Sequence, residues 1–116
     1  IQNAYVRIRS VLRKAGEVGE ELGEGYILVQ AERDLIALMG AYREVVEQAA
    51  EQYNPGLIAN FCYQLAKDFH RYYHEYRILN AETDAARATR LMLITRLAAI
   101  LEAGMDLLGI QMPERM

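Results

Sequence analysis

Apolar residues recur every three to four positions from Ile58 to Tyr76 and again from Leu91 to Leu108. This period commits about a third of the chain to amphipathic helices and leaves a helical bundle as the economical fold. In the first of these stretches Asn54 is placed to cap, and Pro55 suits the first helical position, where its missing N–H is not needed. At about 100° per residue, Ile58, Phe61, Cys62, Leu65, Phe69, Tyr72 and Tyr76 share one side, an ordinary core face. Asn60, Tyr63, Lys67, His70, Arg71 and His74 share the other, with Asp68 and Glu75 on its flank.

The remaining segments agree with this fold class. Residues 1–15 read as an amphipathic leading helix, with Ile1, Tyr5, Ile8, Val11, Leu12 and Ala15 on one side and Arg9 and Arg13 away from it. Residues 16–29 hold Gly16, Gly19, Gly23 and Gly25 among glutamates and read as a connector. They lack the spacing and flanking strand of a phosphate-binding loop. A short helix over 30–39 is apolar at Leu35, Ile36, Leu38 and Met39, and Gly40 breaks or bends it. A second helix over 41–53 turns Val45, Val46, Ala49, Ala50 and Tyr53 inward. Residues 77–83 form a connector, and Thr83 or Asp84 caps the last helix. That helix runs to about Leu108, where Gly109 stops it, with Leu91, Ile94, Leu97, Ala98, Leu101, Met105 and Leu108 on one face. No stretch alternates as a strand does. The expectation is one all-α domain over 1–116, with four to five helices packed over 30–116 and the leading helix.

Several function classes are excluded. No apolar run approaches the roughly 20 residues that span a bilayer, and no signal peptide is visible, so no membrane partner is expected. The lone Cys62 lies on an apolar face and fits a reduced, cytoplasmic setting. His70 and His74 stand at i,i+4, but two ligands do not make a stable metal site, and there is no His-Glu-x-x-His or Cys pair. Neither a Walker loop nor a nucleophile–base pairing is present, so no catalytic residue is assigned. The net charge of −3 rules out a strongly basic domain. Charge is unevenly spread, however: Arg7, Arg9, Arg13 and Lys14 precede the first acid, Glu17.

The polar stripe of the long helix suits single-stranded RNA, whose bases stack on aromatic rings, imidazoles and guanidinium planes while Lys and Arg hold phosphates. A solvated face that happens to carry Tyr and His is the alternative. Arg87 and Arg90 pose a related question. Both fall on the apolar side near the start of the last helix, where cations oppose the macrodipole and need a carboxylate or a ligand. A structural ion pair answers that need more simply than an RNA contact.

Leu57-Ile58-Ala59-Asn60, Leu65-Ala66-Lys67, Phe69 and Tyr73-His74-Glu75 resemble the anticodon-binding domain of arginyl-tRNA synthetases. The likeness continues through Asn80-Ala81-Glu82-Thr83, Arg90 and Leu91 to Pro113-Glu114-Arg115-Met116, and Arg7, Arg9, Ser10 and Leu12-Arg13-Lys14-Ala15 resemble the family's leading helix. Asp84-Ala85-Ala86-Arg87 stands where the namesake Asp-Ala-Leu-Arg motif falls, with Ala86 in place of its Leu. Gln2-Asn3-Ala4-Tyr5 replaces the commoner Gln-Tyr-x-His.

The resemblance implies a class I synthetase anticodon-binding bundle cut from a longer protein, as does a first residue, Ile1, that is not Met. The longer protein would be an enzyme that joins arginine to its tRNA with ATP and Mg. This segment lacks the class I catalytic signatures, and needs no cofactor of its own. Its implied partners are the anticodon loop of arginine tRNA, with the central cytosine read, and the catalytic domain of the same chain. The implied RNA-binding residues are Tyr63, Lys67, His70, Arg71 and His74, with Met116 beside a base, Tyr5 in place of a family contact, and Arg9 and Arg13 as further candidates. Asp84, Arg87 and Arg90 belong to the structural motif. A helical protein-interaction module, or the similar domain of another class I enzyme such as the cysteinyl one, is the rival reading.

Overall fold

A computed structural model describes residues 1–16, 19 and 23–114. Five helices account for most of them: α1 (Gln2–Ala15), α2 (Gln30–Gly40), α3 (Tyr42–Glu51), α4 (Gly56–Glu75) and α5 (Asp84–Leu107). There is no strand among the described residues. Helix α4 is the centre, since every other helix packs against it. Its core-facing Ile58, Phe61, Cys62, Leu65, Phe69 and Tyr72 are all buried, while Tyr76, just past its end, is half-buried. Each fully buried large apolar side chain contributes about 1.5–3 kcal/mol. Helix α1 lies along both α4 and α5, and α2 closes the far side against α4, α3 and α5.

The helix ends follow from local chemistry. Asn54 Oδ1 accepts the Gly56 N–H at 3.1 Å, and Pro55 precedes the helix with φ −65°. Thr83 Oγ1 accepts the Ala86 N–H at 3.0 Å, and Asp84 adds an acid to that first turn. In α2, Val29 offers no side-chain acceptor, but Glu32 reaches back to the Val29 N–H at 2.9 Å, one half of a capping box. After α5 the chain reverses at Gly109, whose φ of 78° suits only glycine comfortably.

Two close approaches explain small residues inside the bundle. Helices α4 and α5 meet at Gly104, where an added Cβ would stand 2.6 Å from the buried Cys62 Sγ. Gly23 lies against the backbone of Ala85, and its N–H donates to the buried Thr89 Oγ1 at 2.8 Å. The connector before α2 is thereby tied to the first turns of α5.

Some sequence expectations need correction. Tyr53 is 93% exposed with φ 51°, and Ala50 is also exposed, because α3 ends at Glu51 and the chain turns outward before α4. Ile36 is 41% exposed, so only Leu35 of the α2 apolar set is fully buried.

Arg90 makes the structural ion pair expected of it. Its side chain is 3% exposed, with Nε 3.4 Å from Glu32 Oε2 and an Nη 3.2 Å from Glu82 Oε2. Arg87 does not: it is half-buried, and no described residue forms an ion pair with it. Ala86, in the place of the motif's Leu, is 1% exposed.

Candidate nucleic-acid interface

The outer flank of α1 meets the polar flank of α4 in an open hollow of about 500 Å³. Asn3, Arg7, Ser10 and Lys14 reach it from α1, and His70 and Tyr73 from α4. The four α1 residues are spaced 4, 3 and 4 apart, which places them on one helical stripe. Arg7 sits over the Tyr73 ring, its Cζ 4.9 Å from the ring centroid. Beneath them the fully buried Phe69 supports both rings, at 5.6 Å from His70 and 5.8 Å from Tyr73. Three positively charged or protonatable groups thus face one groove, which the Tyr73 ring, Val6 and Val11 also line. Among the described residues, no carboxylate lines it.

Burial holds the His70 pKa below the ordinary histidine value, and the neighbouring Arg7 guanidinium, with His74, lowers it further. A phosphate entering the groove would oppose both effects and raise that pKa, so binding of such a ligand would take up a proton. Affinity is therefore expected to rise as pH falls from 7.5 through the region of about 6.5, and His70→Asn to flatten the profile. Folding stability moves the other way. The unfolded chain binds this proton first, so the His70 contribution is complete above about pH 6.5 and is lost as pH falls towards the depressed folded value.

A second hollow adjoins the first and shares Val11 and Tyr73 with it. Tyr76, Arg77, Ile78, Leu79 and Asn80 complete it at the C-terminal end of α4. Arg77 and Asn80 are the charged and amide residues of its lining.

The sequence candidates divide around this geometry. Tyr63, 62% exposed, and the exposed Lys67 and His74 continue the surface along α4, and His70 lies within the first hollow. Arg71 departs from them. It lines a depression towards α2 with Asp34, Asp68 and Glu75, because one residue past His70 turns the side chain by about 100°. Arg9 and Arg13 hold the tail instead: Arg9 Nε pairs with Glu114 Oε2 at 3.0 Å, and an Arg13 Nη donates to the Glu114 carbonyl at 3.2 Å.

Tyr5 offers no free ring face. It is 3% exposed, its hydroxyl donates to Glu102 at 2.7 Å, and burial together with that carboxylate pushes its pKa up to about 12. Met116 lies outside the described residues. No three His, Cys, Asp or Glu gather in metal-binding range among the described residues, and no described helix is long and apolar enough to cross a membrane.

The sequence presents Asn3, Arg7, Ser10, Lys14 and Tyr73 only as charges or motif letters. The common stripe of the first four was visible in the spacing 3, 7, 10, 14. What the sequence did not show is that this stripe faces α4.

The family described as the DALR anticodon binding domain matches residues 1–116. The chain belongs to this family. Among its relatives are the arginine–tRNA ligases of Parabacteroides distasonis, 42% identical over 120 residues, and Chloroflexus aurantiacus, 39% identical over 119; all of this chain is covered in each case, and 20% and 21% of the relative. Thermus thermophilus arginyl-tRNA synthetase superposes with a TM-score of 0.91 at 34% identity, over 99% of this chain and 20% of that one. A structure described as a putative arginyl-tRNA synthetase from Campylobacter jejuni shares the fold, with a TM-score of 0.87 at 24% identity over 99% of this chain and 25% of that one. The DALR chain therefore spans about a fifth of the length of the curated relatives it matches. The likeness first seen in α1, α4 and α5 extends over the whole domain, including residues 16–53, where the motif contributed little.

Proposed function

We propose that this domain grips the anticodon loop of an arginine tRNA, as part of a longer ATP- and Mg-dependent arginine–tRNA ligase whose catalytic portion lies outside it. The observation that carries the reading is the hollow between α1 and α4, with Arg7 and Lys14 on one wall, His70 and Tyr73 on the other, and no carboxylate among its described lining residues. In it, cations hold phosphates while rings support unstacked bases. The Asn80 amide in the second hollow can both donate and accept, which fits hydrogen bonding to the edge of a central cytosine. The arginine specificity rests on the named relatives, and it favours this reading over the cysteinyl one. Tyr63, Lys67 and His74 extend the contact along α4, and Met116 is its candidate at the tail. The domain itself supplies no catalytic group and no cofactor site to the ligation.

Fluorescence titration with arginine tRNA tests this reading. Arg7→Ala with Lys14→Ala is expected to weaken binding and to lower the slope of log affinity against log salt by about 1.4, since each single-strand phosphate contact contributes about 0.7. A change of the central anticodon base is expected to weaken binding to the unaltered domain. Affinity that ignores salt would sink the RNA reading and favour a helical protein-interaction module.

A further inference from the structure

Arg90 is buried behind the interface and touches neither hollow's opening, yet its guanidinium joins three separate segments. An Nη donates to the Arg77 carbonyl at 2.7 Å, in the connector that follows α4. The cation also lies over Tyr76, Cζ to ring centroid 5.4 Å. Both residues line the second hollow. Arg90 also approaches Tyr26 Oη at 3.4 Å, from the connector before α2, and pairs with Glu82 at 3.2 Å.

The guanidinium is held in turn by Glu32, which is fully buried. That carboxylate accepts from Tyr26 Oη at 2.8 and 2.9 Å and from Tyr72 Oη at 2.7 Å. Arg90 Nε stands 3.4 Å from Glu32 Oε2 but is not aligned to hydrogen-bond it. The pair therefore attracts by charge, and the guanidinium spends its best-formed hydrogen bond on the Arg77 carbonyl.

We infer that Arg90, set by Glu32, is a positioning residue for RNA binding: it fixes Tyr76 and the Arg77 carbonyl, and so shapes the second hollow. The residue acts through the hollow's wall and does not touch RNA. The chemistry of the pair supports this over a stabilising role alone. A buried ion pair is a poor source of stability compared with well-packed apolar residues of similar size. Apolar side chains cannot hold a backbone carbonyl at a chosen place. The inference rests on the reading of the hollows as an RNA site.

The experiment uses the 116-residue chain and a labelled hairpin of the arginine-tRNA anticodon arm. Glu32→Leu with Arg90→Met is expected to recover much of the stability that Arg90→Met alone loses. Its affinity for the hairpin is nevertheless expected to stay about tenfold below the unaltered chain, the scale of one charge-assisted hydrogen bond. Recovered stability together with unaltered affinity overturns the inference.

Should the double variant not fold, Arg90→Lys keeps the charge but loses the fork. Faster amide hydrogen exchange confined to 77–81, with affinity about tenfold weaker, supports the inference; unchanged exchange there, or unchanged affinity, overturns it. If the unaltered chain shows no salt-dependent hairpin binding, the RNA reading fails with it. If it does bind and the stable double variant binds equally, only the positioning role fails.

Discussion

Arg90→Met is expected to cost about 3–5 kcal/mol of folding stability, the cost of leaving the other half of a buried ion pair uncompensated. Glu32 would remain at 0% exposure with its cation gone, and the Arg77 carbonyl would lose its 2.7 Å donor. Urea denaturation monitored by helicity checks this at constant pH and salt. The exposed i,i+4 pair Arg43–Glu47 is the internal comparison: its Arg43 side chain is 91% exposed, and exposed helix pairs of this kind contribute about 0.3–0.5 kcal/mol. Equal losses for Arg90→Met and Arg43→Met would contradict the view that burial makes the first pair demanding.

Phe69→Ala carries an expectation of similar size, about 3–5 kcal/mol, from lost apolar contact and the cavity left behind. Here the consequence reaches the interface, because the His70 and Tyr73 rings rest on Phe69. The loss of stability should thus come with a weaker grip on RNA at temperatures where the variant is still fully folded. Phe69→Leu, which keeps most of the volume, should retain more of both. Thermal melts paired with titrations separate the two effects. Unaltered RNA affinity in a folded Phe69→Ala variant would show that this packing behind the two rings does not matter.

The helices were legible because their signals are local. Asn54-Pro55, Thr83-Asp84 and Gly109 each state a helix end in their own chemistry, and the core face of α4 follows from a single period. The candidate interface was legible by half. Tyr63, Lys67, His70 and His74 share an α4 face that periodicity exposes, but the opposing wall belongs to α1, nearly sixty positions earlier. Only packing reveals which stripe of α1 turns towards α4 and which holds the tail. Arg71 lines the depression towards α2, beside Asp34, because a face drawn about 100° wide reaches round to that side.

Arg90 announced itself by its place, a cation on the apolar side near a helix start. Its partner did not, since Glu32 sits among Gln30, Arg33 and Asp34 and reads as one more surface acid. A local pattern can show that a buried charge needs a partner. It cannot say which distant residue supplies it.

The Arg7–Tyr73 pair has a practical use. The chain contains eight tyrosines and no tryptophan, so the unaltered domain has no indole emission. Tyr73→Trp would place a single indole fluorophore under a cation, on the wall that both hollows share. An RNA base that slid into either hollow would change the surroundings of that one ring, and occupancy could be followed in a stopped-flow cell with neither partner carrying a dye.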